Sequence, residues 1–172
     1  AIIKARNAWA QESATCVGPI VIDASPAFRP ETITAYEVGF KSDLFDRHLR
    51  INGAVFYNKY SDIILTLTNC HGFSPCLMPA NVGKADVKGF ELETTLKPAD
   101  GLTVDGSLSY IDFQYKNTGT SGVPLSNVTP YTPKWTYSFG VQKDFDIGSG
   151  TVSARMDGSY RSQVYTEAFN GP

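Results

Sequence analysis

Apolar and polar residues alternate along several stretches of this chain. Between residues 32 and 44, one set of alternate positions is mostly apolar: Tyr36, Val38, Phe40 and Leu44. The positions between them are polar or small: Glu37, Gly39, Lys41 and Asp43. Successive side chains of a β-strand point to opposite faces, so this alternation predicts a strand whose two faces meet different environments.

Later stretches repeat the alternation, and each predicts a further strand. Their apolar positions are Phe90, Leu92 and Leu96; Leu102, Val104, Leu108 and Tyr110; Trp135, Tyr137, Phe139 and Val141; and Val152, Ala154, Met156 and Tyr160. Ser, Thr, Asp, Glu, Gln and Arg stand at most of the positions between them.

The stretch at residues 49–68 is less regular. Its first face holds Leu49, Ile51, Val55 and Tyr57, whereas Phe56 and Tyr60 fall on the other face. Two explanations stay open, a β-bulge that shifts the alternation or packing of both rings on the inner face. With this stretch, the pattern predicts about six strands.

Short and long connections alternate between the predicted strands. The short ones lie near residues 45–48, 98–101 and 146–150 and are rich in Asp, Gly and Pro, as tight turns require. The long ones lie near residues 69–80 and 116–133 and are irregular. Short turns at one end and long loops at the other are the layout of an outer-membrane β-barrel.

Strand length separates a barrel from a soluble β-sandwich, which shares the alternation. Strands of globular proteins have about 5–6 residues, whereas a strand needs about 9–11 residues to cross a bilayer. Aromatic residues also lie near the ends of the apolar sets, where interfacial girdles form: Tyr36, Tyr57, Tyr110, Trp135 and Tyr160. We therefore expect residues 31–172 to be a barrel segment and residues 1–30 to be an outer loop or strand end of uncertain structure.

Composition and charge exclude other classes of protein. The chain has 15 Lys and Arg against 17 Asp and Glu, a formal net charge of -2, whereas a nucleic-acid-binding domain carries a basic patch or stripe. No apolar run approaches the roughly 18 residues of a transmembrane helix. The first six residues lack the layout of a signal peptide, so we expect a mature or truncated chain.

Three motifs then give the chain a resemblance to a known family. The stretch from Arg29 to Ser42 (RPETITAYEVGFKS), the residues Asn81 to Ala85 followed by Lys88 to Glu93, and the residues Tyr131 to Trp135 are placed near predicted strand starts. In order and spacing, they resemble motifs in the barrels of TonB-dependent outer-membrane receptors. The resemblance extends over about residues 28–165.

The resemblance implies an all-β fold, an antiparallel up-and-down transmembrane barrel of about 22 strands. This chain would be an internal segment of it, located in the bacterial outer membrane. The implied function is energy-coupled uptake of a scarce nutrient such as a ferric siderophore, a cobalamin-like cofactor or an oligosaccharide.

The implied partners are outer-membrane lipid, a small nutrient ligand, and TonB acting through a plug domain that this chain does not contain. We expect neither a nucleic-acid partner nor a cofactor. The chain departs from the family in extent, because it shows no plug, no TonB box and no aromatic strand end at its C-terminus. An open sheet leaves edges unsatisfied in lipid, so we expect transport to need further strands.

Two other functions share much of the pattern. A passive porin or adhesin barrel would have the same periodicity but no plug. A secreted β-sandwich that binds carbohydrate would have similar alternation and would fold without detergent.

One loop carries residues with distinctive chemistry. Cys70 and Cys76 lie with five residues between them, in a segment with Gly and Pro that suits a small disulfide-closed loop in an oxidising compartment. A metal site at Cys70, His71 and Cys76 is the alternative, but it lacks a fourth ligand and the usual zinc spacing. Cys16 has no assigned partner.

The sequence predicts a protein that is not an enzyme. His48 and His71 are its two histidines, and neither lies in a nucleophile motif. The family resemblance implies that ligand contacts lie largely on the plug and the outer loops. In this chain that leaves the long loops, where Phe73, Tyr115 and Tyr131 could stack on a ligand.

The polar strand faces carry carboxylates that are further candidates for ligand contact. These are Glu37, Glu91, Glu93 and Asp105. We favour a simpler interpretation, in which they supply lumen polarity balanced by basic residues of the same faces. Those basic residues are Lys41, Arg155 and Arg161.

Overall fold

The computed structural model describes residues 3–6, 29–67 and 78–170. Within them, seven strands form one antiparallel sheet in which each strand pairs with the next in the chain. The strands are β1 (Ile3–Arg6), β2 (Thr32–Leu44), β3 (Leu49–Leu67), β4 (Met78–Ala99), β5 (Leu102–Asn117), β6 (Trp135–Ile147) and β7 (Gly150–Arg161). The predicted all-β, up-and-down topology is confirmed, and the sheet is open rather than closed on itself.

The strand register places the apolar positions on one continuous face. Opposed residues of neighbouring antiparallel strands point to the same side of a sheet. Val38 opposes Val55, Val55 opposes Phe90, Phe90 opposes Tyr110, and Tyr110 opposes Trp135. We call this side the apolar face. A slip of one residue in any pair would turn a whole strand's apolar set to the other side.

The apolar face is exposed, because no other layer of the described structure covers it. Val38 is 74% exposed, and Phe139 and Met156 are also exposed. An uncovered apolar surface of this extent is foreign to soluble proteins, whose patches rarely exceed a few hundred Å². In β6, the face extends over 13 residues, which is about 40 Å along the strand and about 30 Å of height at a barrel tilt of about 40°. That height matches the hydrocarbon layer of a bilayer.

The opposite side, which we call the polar face, carries most of the charged and hydroxyl side chains. Six strands, β2 to β7, contribute to it, with side chains that include Glu37, Lys41, Asn52, Glu91, Glu93, Asp105, Ser107, Ser109, Ser138, Gln142, Arg155 and Asp157. In a barrel this side lines the lumen. Within the described ranges, no helix has the length and hydropathy needed to cross a bilayer.

Two aromatic rings interrupt the polar face, and the structure decides between the explanations left open by the sequence. Register is uninterrupted from Leu49 to Ser61, so no bulge precedes Phe56 or Tyr60. Both rings therefore lie on the polar face. The Phe56 ring packs over Gly89 of β4, where any side chain would overlap it.

The connections at one end of the sheet are tight turns. Residues 45–48 join β2 to β3 with the His48 amide donating to the Phe45 carbonyl at 2.9 Å. Asp100 and Gly101 join β4 to β5, and residues 148–149 join β6 to β7. We call this the turn end. The predicted division between residues 1–30 and 31–172 stays a prediction.

The other end, which we call the loop end, carries the 118–134 loop and the 162–170 segment. These two segments pack over an apolar cluster on the polar-face side. Its buried members are Ile63, Leu67, Val82, Ala85, Phe113, Tyr115, Val123 and Ala168. The segments are joined by hydrogen bonds: the Val128 amide donates to Asn170 Oδ1 at 2.9 Å, and Asn170 Nδ2 donates to the Val128 carbonyl at 3.0 Å.

A charge on the apolar face tests which solvent that face meets. In the complete protein that contains this chain, Phe139→Arg should cost about 2–4 kcal/mol of folding free energy in lipid relative to Phe139→Ala, because the guanidinium lies near mid-bilayer. Ser138→Arg, one position away and on the polar face, should cost under about 1 kcal/mol. Denaturant titration of the protein folded into vesicles measures both. Equal costs on the two faces would contradict the assignment of lipid to one side.

Candidate functional site

The polar face contains a recess between β2, β3 and β4. It has a volume of about 380 Å³, and its walls include Glu37, Glu91 and Glu93. The floor is open because the opposed residues Gly39 and Ala54 leave space where larger side chains would stand. Three of the four predicted carboxylates are thus brought together. The recess offers acceptor oxygens to a cationic or hydroxyl-bearing group.

The fourth predicted carboxylate, Asp105, is neutralised by a basic side chain. Arg155 Nη1 and Nη2 donate to the two carboxylate oxygens of Asp105 at 2.9 and 3.1 Å. The same guanidinium donates through Nε to Asp157 at 2.9 Å. It crosses β6 directly above Gly140, where a Cβ would overlap it. The planar fork of Arg suits this bidentate contact. Arg155 therefore links β7 to β5 across the intervening strand β6 on the lumen side.

The other basic residues that the sequence paired with these carboxylates behave differently. Neither Lys41 nor Arg161 makes an ion pair with any residue that the structure describes. Lys41 lines the recess together with the three glutamates. The predicted balance of lumen charge therefore rests on direct contact at Arg155.

The loop-end candidates have opposite environments. Tyr115 is buried, with 4% of its surface exposed, and its ring contacts Phe113 edge-on at a centroid distance of 4.7 Å. Among the described residues, the Tyr115 hydroxyl meets no partner with full hydrogen-bond geometry. Its ring is enclosed by the cluster.

Tyr131, in contrast, is 72% exposed and holds a positive φ of 57°. Its amide donates to the Tyr165 carbonyl at 2.9 Å, which fixes the backbone that carries the ring. The contact of either tyrosine with a ligand stays a prediction.

Several predicted site residues lie outside the described residues. They are Cys16, Cys70, His71, Phe73 and Cys76. The predicted disulfide and its metal-site alternative therefore stay predictions. In the described ranges, no group of three or more His, Cys, Asp or Glu side chains is placed to hold a metal ion. His48 Nδ1 lies 2.7 Å from the Phe45 carbonyl, a contact within its turn.

Sequence reasoning missed a β-bulge in β3 near the loop end. The register against β4 shifts between Ser61, Ile63 and Ile64, and Asp62 has a φ of 58°. An extra residue in a strand reverses the alternation beyond it. Ile63 and Leu67 therefore point into the apolar cluster, although odd-numbered residues earlier in β3 point to the apolar face.

Residues of two sequence motifs hold this bulge in place. The Glu31 carboxylate accepts a hydrogen bond from the Ile64 amide at 3.0 Å. Asn81 Nδ2 donates to the Asp62 carbonyl at 2.7 Å and to the Arg29 carbonyl at 2.9 Å, while its Oδ1 accepts from the Arg29 amide at 2.7 Å. The Arg29 guanidinium pairs with the Asp62 carboxylate at 2.5 Å. The motifs that carry the family resemblance thus perform a structural task.

In the Asn81 motif, the backbone conformation at the third residue, Gly83, determines which amino acid can stand there. Gly83 has a φ of +134°, a region that L side chains rarely adopt. A Cβ at this position would overlap the carbonyl oxygen of Asn117 in β5. Glycine is therefore required here for both conformation and space.

Comparison with known proteins adds a family match to this geometry. The family model described as TonB dependent receptor-like, beta-barrel matches residues 6–172. The chain is also 26% identical over 155 residues to the probable TonB-dependent siderophore receptor PiuA of Acinetobacter baumannii. That alignment covers 82% of this chain and 19% of the relative, so the chain spans about one fifth of the relative's length.

Solved structures show the same fold. The ferric yersiniabactin uptake receptor FyuA from Yersinia pestis matches with a TM-score of 0.68 at 24% identity, over 90% of this chain and 22% of that one. The ferric preacinetobactin receptor BauA from Acinetobacter baumannii matches with a TM-score of 0.63 at 19% identity, over 83% of this chain and 21% of that one. The sheet is therefore similar to a section of these receptors.

Substituting the glycine of the Asn81 motif tests the structural role of the bulge region. In the complete protein, Gly83→Ala should lower the free energy of unfolding by at least about 3 kcal/mol, because strain from positive φ adds to the overlap with Asn117. Gly148→Ala is the matched control, since Gly148 has a φ of 61° and a methyl group added there would meet no atom within 4 Å. It should cost about 1 kcal/mol. Denaturant titration measures both, and equal losses would show that the packing at Gly83 is not tight.

Proposed function

This chain belongs to the family of TonB dependent receptor-like β-barrels, and from that premise we propose that the whole protein takes up ferric siderophores across the outer membrane. Members of this family are β-barrel proteins of the bacterial outer membrane, and this chain is a barrel region of one. The observation that carries the proposal is the family match over residues 6–172. The two-sided sheet supports it, because one face suits lipid and the other suits a wet lumen.

The choice of a ferric siderophore among scarce nutrients rests on the relatives. PiuA is described as a siderophore receptor, FyuA as a ferric yersiniabactin uptake receptor and BauA as a ferric preacinetobactin receptor. Cobalamin-like cofactors and oligosaccharides are not named among these proteins. We therefore propose iron uptake as the role of the receptor that contains this chain.

The other functions considered from the sequence are less well supported. A β-sandwich packs two sheets face to face, whereas all described strands lie in one sheet with its apolar face uncovered. A passive porin shares the barrel wall but not the receptor family. Because the family consists of transport receptors, we propose a role in transport rather than in catalysis.

Within this receptor, the chain would form part of the barrel wall and part of the rim around the barrel entrance. The polar face, with the glutamate recess and the Arg155 network, would line the path of the ligand. The 118–134 loop would form part of the entrance, with Tyr131 exposed on it. Energy would come from TonB through a plug domain that lies outside this chain.

An uptake assay tests the proposal in the source bacterium. Deleting the gene should abolish accumulation of radioactive iron from at least one ferric siderophore in iron-limited medium, and restoring the gene should recover it. Loss of TonB should have the same effect. Labelled cobalamin and a labelled oligosaccharide serve as control substrates, and neither should change.

Each contrary result has a separate meaning. Loss of cobalamin or oligosaccharide uptake, with all siderophores unaffected, would contradict the substrate but keep the receptor. Uptake that continues without TonB would instead favour a passive barrel.

The exposed ring at the entrance gives a residue-level prediction. Tyr131→Ala should weaken binding of the transported ferric siderophore to the complete protein by about three- to tenfold, since an aromatic contact contributes about 0.5–1.5 kcal/mol. Tyr131→Phe keeps the ring and should bind within about twofold of the unchanged protein. Quenching of intrinsic fluorescence on titration measures both affinities. If Tyr131→Ala binds as tightly as Tyr131→Phe, the ring makes no ligand contact.

A further inference from the structure

At the loop end, β5 extends past the start of β6, which leaves a step in the wall between these two strands. β5 continues to Asn117 and remains paired with β4 as far as that residue. Its pairing with β6 stops at Tyr110, which opposes Trp135. Residues 111–117 of β5, which we call the β5 step, therefore have a strand on one side only. At about 3.4 Å per residue, this edge is about 20 Å long.

The backbone along the β5 step has groups without a partner. The Ile111 amide donates to the Lys134 carbonyl at 3.0 Å, so it points toward the side of β6. Because the amides of a strand point alternately to its two edges, those of Phe113 and Tyr115 point to the same side. Within the part of the chain that the structure describes, no hydrogen bond reaches the backbone amides and carbonyls of these two residues on that side. Both residues are buried, and because buried backbone groups are seldom left unpaired, this edge favours a partner with donors and acceptors of its own.

A cavity adjoins this edge. It has a volume of about 290 Å³ and lies between β5, the end of the 118–134 loop and the segment after β7. Its walls are largely apolar, with Ile111, Phe113, Val128 and Tyr165 among them. Gln163 lines it from an exposed position. The space suits one aromatic side chain that enters beside the strand edge.

The β5 step lies on the outer side of the membrane boundary. The rings of Tyr110 and Trp135, which adjoin the step, pack together with their centroids 4.6 Å apart. Aromatic residues on the lipid side of a barrel mark the level of the headgroups. Residues 111–117 continue beyond that level toward the loops, so a partner reaches them from outside the cell without entering lipid.

We propose that the β5 step binds an extended peptide segment of another, extracellular protein, which adds to the sheet beside β5 and inserts one aromatic side chain into the cavity. When a peptide adds to the edge of a sheet, backbone hydrogen bonds provide affinity and side-chain pockets provide specificity. The step offers both, because Phe113 lines the cavity and has an unpaired amide and carbonyl. A second strand presents donors and acceptors at the spacing of the first. This inference does not depend on the transported substrate.

The first test measures peptide binding to the complete protein in detergent. The probes are blocked heptapeptides of threonine with a central phenylalanine or a central glycine, labelled for fluorescence anisotropy. The phenylalanine peptide should bind at least about tenfold more tightly than the glycine peptide, because only the first can fill the cavity. Equal affinities, or no saturable binding of the phenylalanine peptide below about 1 mM, would overturn the proposal.

Methylation of the peptide backbone distinguishes strand addition from other modes of binding. Only one edge of an added strand faces β5, so only alternate amides of the peptide pair with it. Methylating one alternate set of nitrogens in the phenylalanine peptide should weaken binding by about tenfold or more, whereas methylating the other set should change it by less than about threefold. Equal effects of the two methylation patterns, whether large or small, would contradict strand addition and overturn the proposal.

Hydrogen exchange, followed by mass spectrometry with single-residue resolution, locates the bound peptide. In the free complete protein, the amides of Phe113 and Tyr115 should exchange faster than those of Asp112 and Gln114, which face β4. The phenylalanine peptide should slow exchange at Phe113 and Tyr115 and leave Asp112 and Gln114 unchanged. If Phe113 and Tyr115 are already protected in the free protein, another segment of the receptor occupies the step, and the proposal is overturned.

A matched pair of variants tests the cavity. Gln163→Trp places a large ring at the cavity from an exposed position and should weaken binding of the phenylalanine peptide by about tenfold or more. Ser126→Trp adds the same ring at an exposed loop position that does not line the cavity, and it should bind within about twofold of the unchanged protein. Heat-resistant migration on a gel confirms that each variant is folded. An unchanged affinity in folded Gln163→Trp would overturn the proposal, as would an equal loss in Ser126→Trp.

Discussion

The fold depends on one constraint: each strand must keep its apolar residues on the same side as those of its neighbours. Hydrogen bonding between backbones alone would allow strands to slip, since every register offers donors and acceptors. What selects the observed register is that a slip of one residue would place Val38, Phe90 or Tyr137 in a wet lumen. Because the apolar face has lipid rather than a second protein layer against it, the sheet needs no compact core across most of its height. Among the described residues, the buried hydrophobic side chains gather at the loop end, where the 118–134 loop folds back.

Period-two alternation made much of this sheet predictable. The strands, their apolar faces and the tight turns follow from local pattern, because each depends on residues close together in the chain. The bulge at Asp62 could not be predicted in the same way, since it is held by Arg29 and Asn81, which come from other strands or their approaches. The reversal of alternation from Ile63 onward is a consequence of those distant contacts. Tyr115 shows the same limit, because its burial follows from how the loop folds and not from its own neighbours.

Part of the candidate site could likewise be predicted from the sequence, and part of it could not. Glu37, Glu91 and Glu93 could be placed on one face from the sequence, and the register brings them to a common recess. Their neighbour Asp105 was expected to have a basic partner somewhere, but the choice of Arg155 depends on Gly140 leaving room between them. The family motifs are informative for a related reason. Glu31, Asn81 and Gly83 shape the barrel wall. These residues therefore indicate the fold of the protein but do not indicate which ligand it transports.

The side chain of Asn170 makes the two hydrogen bonds to the backbone of Val128 that a neighbouring strand would make. Its Oδ1 accepts from the Val128 amide, and its Nδ2 donates to the Val128 carbonyl. Asn127 adds a bond from its Nδ2 to the Ala168 carbonyl at 3.0 Å. Two successive surface segments are thereby joined across a gap of about 40 residues in the chain. Insertions or deletions in one segment would leave the other with unmatched backbone groups. Diversification of this entrance during evolution should therefore proceed by paired exchange of both segments, and a recombined receptor would inherit them together.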